Sequence, residues 1–207
     1  MLACTVISSS PVLAADVAAG KRIATQGSSG GATACLGCHG ADGGGNAAAN
    51  FPRLAGLDAG YLAKQLQDIA GETRINPIIQ PIASALSKQD IADVAAYYAE
   101  LPVPEVATQS QSAASQAGRQ LVELGNWAEA VPAFIQCHGP GARGVGAHFP
   151  ALAGQHAGYI ESQLQAWQQG TRKNDPNQLM KGVAEHLDAD QIKAVLAYLA
   201  SLPATAD

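Results

Sequence analysis

Charge and aromatic rings are both scarce in this 207-residue chain, at 14% and 5% of residues. No apolar run approaches the roughly 20 residues that span a bilayer, so no transmembrane helix is expected in the mature chain. Basic residues are few: 12 Lys and Arg stand against 17 Asp and Glu, a net charge of −5. That balance excludes nucleic acid as a partner, because phosphate binding needs a basic face. Four cysteines, Cys4, Cys35, Cys38 and Cys137, are too few for a disulfide scaffold of this size. No stretch alternates with period two, which argues against sheet. At 47% the hydrophobic content is ordinary and excludes general disorder. The length suits two domains of about 90–100 residues.

Residues 2–15, LACTVISSSPVLAA, are small and apolar and end in Val12-Leu13-Ala14; Asp16 is the first charge. This reads as a secretory signal over residues 1–15, cut near Ala14 or Ala15, with Cys4 leaving alongside it. The expected location is an oxidising compartment, the bacterial periplasm.

An internal repeat organises the remainder. Phe51-Pro52-Arg53-Leu54-Ala55-Gly56 returns 98 positions later as Phe149-Pro150-Ala151-Leu152-Ala153-Gly154. Gly60-Tyr61 and Gln65-Leu66 return at the same offset, and Gly71-Glu72-Thr73-Arg74 returns as Gly170-Thr171-Arg172 with one residue of slippage. Leu86, Ile91, Val94 and Leu101-Pro102 match Leu187, Ile192, Val195 and Leu202-Pro203 at an offset of 101, which places an insertion near 173–178. Two similar domains, 16–102 and 114–207, are expected on either side of a polar linker, 103–113.

Each copy reads as helices. Asp58 suits an N-cap for Tyr61, Leu62, Gln65, Leu66 and Ile69, with Gly71 as the C′ residue. Ser87-Lys88-Gln89-Asp90 and Asp188-Ala189-Asp190-Gln191 read as capping boxes ahead of apolar faces Ile91, Val94, Tyr98 and Ile192, Val195, Leu199. The expected fold class is all-α.

Cys35-Leu36-Gly37-Cys38-His39 is C-x-x-C-H, the attachment pattern of a c-type haem. Two thiols on one turn reach the two vinyl groups, and His39 is delivered beneath the iron. A structural zinc site needs four ligands, a redox dithiol needs a βαβ context, and a plain disulfide leaves His39 unexplained.

The order C-x-x-C-H-G, glycine-rich loop, FPxLAG, YL/YI-xxQL helix, TRxN loop and LSxxDI helix, doubled across a linker, resembles cytochrome c4. These are dihaem periplasmic cytochromes c built from two class I domains. The resemblance implies two covalent haems, each with His and Met axial ligands, and electron transfer toward a terminal oxidase. It departs twice. In the second copy the motif reads Phe134-Ile135-Gln136-Cys137-His138, so His138 matches His39 but only Cys137 is left for a thioether, and Phe134 is expected to pack on the porphyrin edge. The family's distal methionine falls on Met180, whereas its counterpart in the first copy is Ile79. Within that copy only Lys64, Lys88, Asn46, Asn50, Asn76, tyrosines or water are left for the sixth position. Arg53 is a candidate propionate partner, as are His148 and His156 if they are not surface residues. His186 is expected to be exposed.

The expected function is therefore one-electron transfer through haem iron in a respiratory chain, toward a terminal oxidase or from a dehydrogenase. The alternative is a haem enzyme or gas-binding protein that uses an open first iron. No acid–base pair or nucleophile elsewhere suggests substrate turnover, so no enzyme is expected. Expected partners are redox proteins: a membrane cytochrome complex, an oxidase or a dehydrogenase. Peripheral membrane association is left open.

Overall fold

The computed structural model describes residues 14–105 and 112–205. The expected leader up to Leu13, Cys4 included, and the middle of the expected linker lie outside them. Helices α1 (Val17–Gln26), α2 (Leu36–His39), α3 (Ala59–Ala70), α4 (Gln80–Ser84) and α5 (Lys88–Glu100) form the first half. Helices α6 (Ala113–Glu123), α7 (Phe134–His138), α8 (Ala157–Gln168), α9 (Leu179–Glu185) and α10 (Ala189–Leu199) form the second in the same order. Among the described residues, β structure is limited to four isolated bridges.

The helix starts are set by the residues read as caps. Asp58 Oδ1 accepts from Tyr61 N at 3.0 Å, and the Ser87–Asp90 and Asp188–Gln191 boxes are both closed. Each satisfies backbone N–H groups that a first turn leaves unpaired. The end of α3 differs from expectation. Gly71 is the C-cap with φ −87°, and the left-handed position passes to Glu72 at φ 60°. Its equivalent 98 residues on is Gly170, at φ 69°. The repeat therefore has no slippage there: one copy places glycine where the turn needs a positive φ, and the other strains a glutamate into it.

Each half folds its first helix across its last, α1 on α5 and α6 on α10. Both crossings depend on a glycine that sequence reading passed over. A Cβ at Gly20 would lie 2.0 Å from Asp93 O, and one at Gly118 would lie 1.9 Å from Ala194 O. The backbones approach only because neither position carries a side chain. Ile23, Leu62, Val94 and Tyr98 fill the first core; Val122, Phe134, Leu164, Val195 and Leu199 fill the second.

The halves meet through a bridge between Arg74 and Arg172, where Ile75 N donates to Thr171 O at 3.0 Å and Lys173 N to Thr73 O at 2.8 Å. Two residues expected near a propionate serve this interface instead. Arg53, 1% exposed, donates from Nε to Gly154 O and from Nη2 to Ala153 O, both at 3.2 Å, and from Nη1 to Ala55 O. Buried beside carbonyls that need donors, it clamps the halves together. His156 Nε2 donates to Gly44 O across the same boundary at 3.0 Å.

Candidate haem sites

Cys35 caps helix α2, which ends at His39, so one short turn carries Cys35, Cys38 and His39 to the wall of a cavity of about 320 Å³. His39 Nδ1 lies 2.9 Å from Pro52 O. A carbonyl only accepts, so the proton is on Nδ1 and the Nε2 lone pair is free, as a metal-ligating imidazole requires. Burial pushes the His39 pKa down, against the Pro52 bond, and favours the neutral ring. The Cys35 thiol is pushed up by burial and stays protonated; both thiols are free and half-buried.

The second site repeats the first. His138 Nδ1 donates to Pro150 O at 2.7 Å, and burial lowers its pKa. Its Nε2 is the one buried side-chain nitrogen or oxygen without a hydrogen-bond partner among the described residues. A buried polar atom of this kind calls for a partner, and here the free lone pair calls for a Lewis acid. His138 lines a cavity of about 370 Å³ together with Phe134, Leu164, Trp167 and Met180. Phe134, 6% exposed, belongs to the core as well as to this wall. Cys137 is half-buried and is not part of the wall, unlike its counterpart Cys38.

The register that pairs Ile79 with Met180 holds in three dimensions. Ala83 and Ala184, 101 residues apart, are both fully buried in α4 and α9. Ile79 caps α4 and lines the first cavity with Ile82 and Leu86, while Met180 lies in the first turn of α9 on the second. Most of the polar candidates for the first iron are engaged elsewhere. Lys64 pairs with Asp68, donates to Asn174 O at 2.7 Å and lines the other cavity. Lys88 is exposed at the start of α5. Asn46 caps Ala49 N at 3.1 Å, and Asn76 Oδ1 accepts from Ile78 N and Ile79 N. Asn50 and Asn76 both reach the first cavity wall. His148 sits exposed at the rim of the second cavity, and His186 is exposed, as expected.

Sequence reading missed the wall between the cavities. Leu57, Tyr61, Gln65, Tyr159 and Gln163 line both, so the two sites adjoin across the interface. Arg74 donates to Gln65, to Tyr159 OH and to Gln163 at 3.1, 2.8 and 2.8 Å. Arg172 donates to Gln163 and Gln65 at 2.9 and 3.1 Å and stacks 3.9 Å above Trp167. Both guanidiniums are buried, and none of these bonds goes to a carboxylate. The available signal was the repeat, since Tyr61, Gln65 and Arg74 recur as Tyr159, Gln163 and Arg172 at an offset of 98.

A cytochrome c family model matches residues 17–102 and 135–203. Cytochrome c4 of Thiocapsa roseopersicina is 40% identical over 171 residues, covering 81% of this chain and 86% of the relative. The chain belongs to the cytochrome c4 family. It is also 50% identical over 190 residues to the thiosulfate dehydrogenase electron acceptor of Stutzerimonas stutzeri (91% of this chain, 88% of the relative). Among solved structures, the thiosulfate dehydrogenase TsdBA of Marichromatium purpuratum superposes with a TM-score of 0.84 at 45% identity. That match covers 91% of this chain but only 41% of the other. Reduced cytochrome c4 of Pseudomonas stutzeri gives 0.78 at 35% identity, covering 91% of this chain and all of the other. The fold is thus two tandem cytochrome c domains, and the protein is a c-type cytochrome of electron transfer.

The residues present fit haem. Each cavity offers an imidazole with its lone pair free, beside thiols in the first domain and a thioether in the second. At the shared wall, two buried cations await carboxylates, which the propionates of two haems would supply.

Proposed function

We propose that this cytochrome carries electrons in the periplasm from a thiosulfate-oxidising dehydrogenase into a respiratory chain, toward a terminal oxidase. The observation that carries the haem reading is the orphaned Nε2 of His138, in a cavity shared with Met180. The donor class rests on relatives named as electron acceptors of thiosulfate dehydrogenase, at 50% and 46% identity. The compartment rests on the expected leader and on covalent haem attachment.

Bound haem supplies a one-electron ferric/ferrous couple. His39 and His138 would hold the irons, their rings oriented by Pro52 and Pro150. Met180 would be the second protein ligand of the second haem, and a thioether ligand would raise its potential. Cys35 and Cys38 attach the first haem; Cys137 alone attaches the second, with Phe134 packed where the other thiol would be. The adjoining walls keep the two centres close. Held by both His138 and Met180, a haem in the second cavity would supply outer-sphere electron transfer and not bond chemistry.

The single thioether leaves one vinyl group unsaturated. Replacing Phe134 with Cys is expected to shift the α-band of that haem in the reduced pyridine haemochrome to shorter wavelength, to the position of a doubly attached haem. The function is tested by mixing the ferric protein with a thiosulfate dehydrogenase and thiosulfate in a stopped-flow instrument. Rapid reduction is expected, dependent on both enzyme and thiosulfate. A protein that dithionite reduces and the enzyme does not would contradict the donor assignment.

A further inference from the structure

We propose that the iron of the first haem keeps one axial position open, and that the apolar wall around Ile79 makes it a binding site for small neutral diatomic ligands such as carbon monoxide or nitric oxide. The proposal rests on the haem reading of the first cavity and goes beyond electron transfer, because it gives the two domains different chemistry.

The two domains present equivalent walls in equivalent registers, tied by fully buried Ala83 and Ala184. Where one wall brings a methionine sulfur, the other brings the isoleucine Ile79, with Ile82 and Leu86 beside it. None of these hydrocarbon side chains can bind iron. Among the residues lining the first cavity there is no methionine, lysine or second histidine, and its only thiols are Cys35 and Cys38, which attach the haem. The tyrosines on that lining are committed elsewhere. Tyr98 lies beside Cys35, while Tyr61 and Tyr159 stand at the shared wall, where Arg74 binds the Tyr159 hydroxyl.

The wall also decides the ligand class. Apart from His39, the cavity lining carries no imidazole or ammonium group; its guanidiniums are Arg53, spent on backbone carbonyls, and Arg74, bound at the shared wall. The Asn76 carboxamide oxygen is held by the Ile78 and Ile79 amides at 3.1 and 3.3 Å. A neutral diatomic needs neither service and loses little on entering apolar surroundings, whereas a charged ligand loses its hydration. Peroxide cleavage, which needs a proton shuttle, is not supported.

The test uses the full-length holoprotein, whose haem content is first fixed by pyridine haemochrome. The dithionite-reduced protein is titrated with carbon monoxide while the Soret band is recorded, and the ferric protein is examined by electron paramagnetic resonance. One carbon monoxide per chain and a high-spin ferric signal from one of two haems are expected. Ile79→Met, close to volume-conserving and therefore compatible with the fold, is expected to abolish carbon monoxide binding and convert that haem to low spin. Ile79→Leu is expected to leave both properties unchanged. Two haems per chain with no carbon monoxide bound and an all-low-spin spectrum would overturn the proposal while leaving the haem reading intact. A chain with no haem attached at Cys35 and Cys38 would overturn both. Carbon monoxide binding that persists at full stoichiometry in Ile79→Met would place the open iron elsewhere and also overturn it.

Discussion

Exchanging Met180 for leucine is expected to double the carbon monoxide bound per chain and to lower the upper midpoint potential. Met180 lines the second cavity and, in the proposed reading, would supply the thioether ligand to the second iron. Leucine has nearly its volume and no donor atom, so the wall survives and the ligand does not. Thioether ligation stabilises ferrous over ferric iron, and axial ligands set haem potentials across a span of about 0.8 V. A fall on the order of 0.1 V or more is therefore expected, read by potentiometric titration at the α-band. In the wild type the first haem, if open as proposed, is expected to have the lower potential, so electrons would rest on the second haem. The Met180→Leu variant loses that preference, and its two titration steps merge. An unchanged upper potential would show that Met180 fills the core and binds nothing.

A chain produced without haem is expected to lose most of its helical circular dichroism and to unfold without a cooperative transition. Each core is built around a cavity, of about 320 Å³ in the first domain and 370 Å³ in the second. At roughly 24 cal/mol per Å³, leaving even half of the larger one unfilled costs about 4 kcal/mol. That is comparable to the whole stability margin of a small domain, about 5–15 kcal/mol. The polar groups add to it, since His138 Nε2 is left buried without a partner and Arg74 and Arg172 remain buried with no hydrogen bond to a carboxylate. Export of the chain in cells lacking haem attachment, followed by far-ultraviolet circular dichroism and urea titration, checks this. A cooperative transition with native helix content would show that the cores close without haem.

Much of the fold was legible in the sequence because its determinants are local or repeated. The capping boxes at Ser87 and Asp188 are four-residue patterns whose hydrogen bonds close within one turn. The Leu86/Leu187 match, at an offset of 101, fixed the register that paired Ile79 with Met180, and C-x-x-C-H placed His39 beside its two thiols. What stayed hidden depends on partners far along the chain. Gly20 and Gly118 look like weak points in helices until Asp93 and Ala194 are seen pressed against them. Arg53 carries a guanidinium that matches a carboxylate, yet the carbonyls it serves lie 100 and 101 residues away. Arg74 and Arg172 were visible as a repeated pair and had no role, because a charge reveals nothing about its burial. Gly71 misled for a different reason: the nearest glycine was taken for the left-handed position, which the chain gives to Glu72.

The central claim is that both domains hold haem and hold it differently. It is tested most directly by the intact mass of the denatured mature protein, taken with its pyridine haemochrome spectrum. The expected result is a mass raised by two haems, with an α-band that resolves into equal parts of doubly attached haem and haem with one free vinyl group. A mass raised by one haem, or two haems with a single unshifted α-band, would contradict it.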